Sequence, residues 1–314
     1  MRIKPGAVRT LLAACLLAAL GAALIVSARP AHAATPAPAR HVVVVGLSGL
    51  RWSDVSPAAT PALWRLAGQG SAGSLVDYAV LPLTCPADGW LTLNAGARAQ
   101  SDHTNAACGA FPAVVPAGVG ADVPGLGALA TYNERFHNNP DWGLLAREAP
   151  GCTTAVGPGA ALALADRAGH VASYLPAPSD ITAGVLARCP LTVVDLGSLG
   201  YAERASQLAS ADTELARIAA ELPPGTTLLV TAPGAAAKPP HLQLALVSGP
   251  GYRAGLLDAF AAPRPLLDGA LAVGDRIAVL PSLFHLLWTG ILSADLASAL
   301  LSGGSLVRAG GGAW

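Results

Sequence analysis

His41-Val42-Val43-Val44-Val45-Gly46, followed after a turn by Thr60-Pro61-Ala62-Leu63-Trp64-Arg65-Leu66-Ala67, decides the fold. Four consecutive β-branched residues ending at a glycine read as a parallel strand buried on both faces. In the second segment Thr60 fits an N-cap and Pro61 the first helical position. Leu63, Leu66 and Ala67 share one face, and Gly68 or Gly70 ends the helix. A buried strand feeding a helix is the start of a βα unit.

The unit recurs along the chain. Leu191–Leu196 (LTVVDL), Thr226–Thr231 (TTLLVT) and Leu242–Val247 (LQLALV) read as buried strands, and Tyr78–Leu83 as a further one. Ala205, Leu208, Asp212, Leu215, Ala219 and Leu222 recur every three or four residues, which predicts a helix over 202–222, stopped by Pro223-Pro224-Gly225. Asp88–Ala95 reads as a short helix, with others near 142–148 and 160–168. The apolar helix over 281–292 reads as buried and not as a membrane span, because Pro281 lies inside it and Asp275 and Asp295 flank it. Residues 101–150 are irregular, with Gly and Pro throughout, and read as an insertion. Strands alternating with helices predict an α/β fold: a doubly wound, mainly parallel sheet flanked by helices.

The 314 residues are 53% hydrophobic and 12% charged, too apolar for a disordered chain and enough for a large core. The 35 glycines and 26 prolines follow no strict period, which excludes collagen. Arg2, Lys4, Arg9 and Arg29 precede position 34, where there is no acid. The remainder carries 15 basic against 19 acidic residues, a formal −4. No basic cluster survives in it, so nucleic acid is not expected as a partner.

The first residues read as an export signal. Arg2, Lys4 and Arg9 precede the apolar run 11–26, and Ala31-His32-Ala33 supplies the small residues of a cleavage site. The expected organisation is a signal peptide over 1–33, a Pro/Ala linker over 34–40, one α/β domain over 41–302 and a flexible tail over 303–314. An uncleaved anchor is the alternative, and the one route to a membrane. Cys15 leaves with the signal, so Cys85, Cys108, Cys152 and Cys189 remain, an even number in an oxidising compartment. Three pairings are open; sequence proximity favours Cys85–Cys108 and Cys152–Cys189.

Several catalytic motifs are missing. There is no P-loop. Gly46-Leu47-Ser48-Gly49 and Gly70-Ser71-Ala72-Gly73 fail the G-x-S-x-G spacing of a nucleophile elbow. Ser101-Asp102-His103 reads as a solvated loop.

The order of segments resembles the alkaline-phosphatase superfamily, with its phosphodiesterase/nucleotide pyrophosphatase and phosphopentomutase branches. The opening strand and the T-P-x-L helix carry the resemblance. So do Thr84-Cys85-Pro86, at the family's T-x-P nucleophile turn, and Leu91-Thr92-Leu93-Asn94-Ala95-Gly96, like its T-L-x-T-G. Val193–Gly200 resembles the strand ending in D-x-x-G-H, Asp212 matches an Asp of the long helix, and Thr231-Ala232-Pro233-Gly234 falls where the family has S-D-H-G. The resemblance implies two divalent metals, usually zinc, held by Asp and His side chains, with Thr84 as nucleophile. It also exposes what is absent. Ser48, Leu199, Ala232 and Pro233 stand at ligand positions, and 226–240 contain no Asp, Glu or His. Asp195 and His241 remain as candidate ligands. The expectation is a non-catalytic relative, a binding or scaffolding domain at the cell envelope with no cofactor, its Thr84 vestigial. The alternative is a divergent phosphoesterase using Thr84 with zinc or another divalent metal at Asp195 and His241. A third reading is a truncated envelope protein whose relatives continue into membrane helices.

Overall fold

A computed structural model describes residues 41–76, 78–104, 107–200, 202–235, 242–248, 253–274, 276–296 and 300–310. The signal (1–33), the linker (34–40) and His241 lie outside the described residues.

The chain begins with strand β1 (Val42–Ser48), helix α1 (Pro61–Gln69), β2 (Ser71–Leu75) and α2 (Pro86–Ala95). The segment that reads as an insertion holds a hairpin of β3 (Val115–Ala117) and β4 (Gly120–Asp122), then α3 (Leu126–Asn133) and α4 (Leu144–Glu148). β5 (Thr153–Val156), α5 (Pro158–Leu164), β6 (His170–Val171), β7 (Tyr174–Leu175) and α6 (Ala183–Arg188) follow. Then come β8 (Leu191–Ser198), α7 (Arg204–Ala220), β9 (Thr227–Thr231) and β10 (Gln243–Ser248). The last elements are α8 (Arg253–Ala259), β11 (Arg264–Pro265), α9 (Leu266–Val273), α10 (Arg276–Trp288), β12 (Leu292–Ala294) and β13 (Leu306–Ala309).

Seven strands form the main sheet in the order β2-β10-β9-β1-β8-β5-β7. β1 lies at its centre, parallel to β8 on one side and β9 on the other, and β10 is the one antiparallel member. Alternate side chains of β1 serve opposite faces, as the two-residue period of a strand requires. Val43 and Val45 enter a core with Leu63 and Leu66 of α1 and Leu208, Leu215 and Ile218 of α7. Val42 and Val44 pack on the other core, with Trp90 and Leu91 of α2 and Leu162 of α5. The sheet is therefore doubly wound, as expected.

The ends differ from the sequence reading. Residues 78–83 form no strand. Pro82 cannot donate to a ladder, and the Ala79 N–H turns instead onto Thr84 Oγ1 at 3.1 Å. The third core, around Phe260, Leu266, Leu283 and Leu286, closes on Val307 of β13. β13 sits between β11 and β12, so residues 306–309 of the expected tail belong to the domain. Helix α10 begins earlier than expected and is not buried all round: Leu283 and Leu286 face the core, but Trp288 is 90% exposed. No helix among the described residues is long and apolar enough to cross a membrane.

Thr60 does not cap α1 with its side chain. Its hydroxyl donates to the Asp54 carbonyl at 2.7 Å. The cap comes from across the molecule: Asp212 of α7 accepts the N–H groups of Ala62 and Leu63 at 3.0 and 2.9 Å.

Candidate functional site

Ligands of open α/β sheets bind beyond the carboxyl ends of the strands, and the sequence-derived candidates gather there. Gly46 of β1 stands in register with Asp195 of β8 and Thr231 of β9. Ser48 and Leu199 meet just above, where the Leu199 N–H donates to the Ser48 carbonyl at 2.9 Å. The Ala232–Gly234 loop approaches the start of α2: the Ala235 N–H donates to the Thr84 carbonyl at 2.9 Å. The structure thus brings together Ser48 with Leu199, and Thr84 with the Ala232–Pro233 loop.

The space between them is filled. A Cβ on Gly46 would lie 2.2 Å from the Trp90 ring and 2.8 Å from Pro233 Cγ. A Cβ on Gly89 would lie 1.1 Å from the Pro233 carbonyl oxygen, so the first turn of α2 rests directly on that loop's backbone. Only glycine permits either approach.

Asp195 is buried and its oxygens are committed. Oδ2 accepts the N–H of Gly159, at the start of α5, and Oδ1 accepts the N–H of Gly197, both at 2.8 Å. Burial pushes its carboxyl above the usual carboxylate range, against the pull of those two donors. The Ser48 hydroxyl is buried with no partner among the described residues. Thr84 is buried too, its hydroxyl accepting from Ala79.

Two dications in a dry cleft need several anionic or imidazole donors. Ser48, Leu199, Ala232 and Pro233 do not provide them, and Asp195 already holds two backbone groups. The residues present do not fit the two-metal centre that the resemblance implies.

A denser polar cluster lies at the start of α2, and the sequence reading missed it. Cys85 is the N-cap and Asp88 the third helical residue, the spacing of a capping box. Asp88 is fully buried. Its Oδ2 accepts from the Cys85 N–H and faces His103 Nε2, both at 2.7 Å. Its Oδ1 accepts the Ser101 N–H and hydroxyl, again at 2.7 Å. His103 Nδ1 meets the Thr104 carbonyl at 2.7 Å. Ser101 and the His103 side chain are buried, so 101–103 is not a wholly solvated loop; of the three, Asp102 alone is exposed. The bridge Cys85–Cys108 folds this segment onto α2, and Cys152–Cys189 ties β5's approach to β8's. Both pairings are those favoured by proximity.

An open cleft of about 590 Å³ lies beside the strand ends, between the end of β8 and α7. Ser198, Ser206, Gln207, Ser210 and Glu214 supply its polar lining. Arg217 holds its far wall through the carbonyls of Pro178 and Ile181 and pairs with Glu214.

The fold and site describe a doubly wound α/β domain whose strand ends are packed by Trp90 and Pro233. No protein-family model and no curated protein matches the chain. Among solved structures, murine ectonucleotide pyrophosphatase/phosphodiesterase 5 is 16% identical, with TM-score 0.37 over 61% of this chain and 56% of that one. Its inactive variant in complex with AMP is 14% identical, with TM-score 0.38 over 62% and 56%. A Pyrococcus horikoshii protein is 12% identical, with TM-score 0.39 over 67% and 85%. The chain spans 56% of the length of the murine structures, and no residue role is carried over from any of the three.

Proposed function

We propose that this chain is an alkaline-phosphatase-type domain that keeps the scaffold without the chemistry: an exported, non-catalytic binding or scaffolding domain of the cell envelope. One observation carries the reading. The position between β1, β8, β9 and α2 is occupied by Trp90 and Pro233, each packed against the Gly46 backbone, and among the described ligand candidates there Asp195 alone is an acid. Phosphoryl transfer depends on positioning and charge stabilisation. In the reading proposed here no dication stands beside the Thr84 hydroxyl to lower its pKa. The cleft beside α7 offers hydroxyl and amide groups suited to holding a polar ligand. The two disulfides fit an oxidising compartment.

Metal analysis of the purified protein, with hydrolysis of nitrophenyl phosphate and bis-nitrophenyl phosphate with and without added zinc, tests this. The expected result is no turnover above background in either condition. Zinc-dependent hydrolysis abolished by both Thr84→Ala and Asp195→Ala would overturn the reading and establish the phosphoesterase alternative.

A further inference from the structure

Cys85, Asp88 and His103 each offer a ligand atom, and these atoms lie within 4.8 Å of one another on buried side chains. Cys85 is bonded to Cys108, which sets a second sulfur beside the Cys85 sulfur. The neighbours of these groups orient them as metal ligands are oriented. The Thr104 carbonyl takes the Nδ1–H of His103 and turns Nε2 toward Asp88. Ser101 holds Oδ1 of Asp88 with two donors, and Oδ2 lies between the Cys85 N–H and His103 Nε2. Ligating histidines and carboxylates are ordinarily held by such outer hydrogen bonds. The sulfur atoms are the missing part, since a disulfide sulfur is not a thiolate and the thiolate is the ligand.

We propose that reduction of Cys85–Cys108 opens a single cation site made of Cys85, Cys108, Asp88 and His103, and that the intact bridge keeps it closed. A dithiol supplies the two electrons and two protons: the Cys85–Cys108 bond breaks, two thiols form, and the dithiol becomes a disulfide. Binding of a divalent ion then releases both thiol protons and the proton between His103 Nε2 and Asp88 Oδ2. Two thiolates, one imidazole and one carboxylate at four positions suit zinc, which favours tetrahedral S, N and O ligands. The site uses none of Thr84, Asp195 or His241, so it holds or fails separately from the proposed function.

The probe is Co²⁺ followed by displacement with Zn²⁺, added to the full mature chain with and without a water-soluble phosphine, which leaves no competing thiol. The reduced protein should take up one ion per chain, with thiolate-to-cobalt charge-transfer bands that zinc abolishes, and the oxidised protein none. Cys108→Ser frees Cys85 without any reductant and leaves Cys152–Cys189 intact. It should bind one ion through three protein ligands, with a single-thiolate spectrum. Adding His103→Gln to either form should weaken binding by more than the roughly 10–100-fold that losing an outer hydrogen-bond partner costs. Equal uptake by oxidised and reduced protein, uptake unaffected by His103→Gln, or a folded Cys108→Ser protein that binds no ion would each overturn the proposal.

Discussion

Asp212→Ala tests whether a carboxylate 150 residues away in sequence holds the first helix. Asp212 is 5% exposed, and its two oxygens take the N–H groups of Ala62 and Leu63, themselves nearly inaccessible. Hydrogen bonds to a charged group are worth about 1.5–3 kcal/mol each. Alanine removes both acceptors and leaves two buried donors at a helix start. Allowing for partial access of water once the side chain is gone, the loss should be about 3–5 kcal/mol. That is a large part of a total stability of about 5–15 kcal/mol. For a domain of this size it corresponds to a fall in Tm of roughly 6–20 °C. Asp212→Asn keeps one acceptor but points an amide at the second donor, so it should recover less than half. Thr60→Ala, which removes the residue that sequence alone names as the cap, should cost less than Asp212→Ala. The assay is urea unfolding followed by circular dichroism, with the m-value checked for constancy. A loss below about 1 kcal/mol for Asp212→Ala, or a larger loss for Thr60→Ala, would refute the assignment of the cap.

Other outcomes follow from the packing and the charges. Asp195 has its carboxyl raised above its ordinary 3.8 by burial, so the native state keeps a proton that the unfolded chain has already lost. The stability of wild type relative to Asp195→Asn should therefore fall as pH rises from about 4 through the raised value, then level off; urea titrations across pH showing the opposite slope would contradict this. Gly89→Ala puts a Cβ on the Pro233 carbonyl and should cost more than about 4 kcal/mol. Gly73→Ala, with open space around it, should stay within about 0.5 kcal/mol, both variants read by urea unfolding. Replacing Cys152 and Cys189 together by serine removes a cross-link over 37 residues, an expected loss of about 4 kcal/mol in chemical denaturation.

The main sheet was readable because its inner strands are continuous apolar runs, and burial on both faces leaves just that pattern. Val42–Val45, Leu191–Val194 and Thr227–Val230 each announce themselves. The edges do not. β5 has four residues, β6, β7 and β11 have two each, and β13 follows Gly303 and Gly304; no period can be seen over so few positions. Tyr78–Leu83 was misread for the opposite reason: it is apolar and short, but its N–H groups serve a local loop. At the candidate site, the sequence candidates fall on segments that the fold gathers at the strand ends, and the lack of Asp, Glu and His in 226–240 is legible without the fold. Trp90 and Pro233 gave no sign of filling the gap, since their contact joins two segments far apart. The Asp88 cluster offered one local signal, the three-residue spacing from Cys85. Its meeting with His103 depends on the segment that Cys85–Cys108 folds back.

The position of β13 bears on the order in which the molecule can be completed. Among the described residues β11 and β12 each pair with β13 and not with each other, and the Ala309 and Gly310 N–H groups close onto the carbonyls of Phe260 and Ile291. The main sheet has all seven strands by β10, although β2 still awaits Ser282 of α10, while the α8–α10 lobe lacks its central strand until β13. That lobe stays open, with apolar side chains uncovered, until residues 306–310 join it. Stopping the chain at 302 should leave the seven-stranded sheet able to assemble and the last lobe open to proteolysis, so removing 303–310 acts on a folding step.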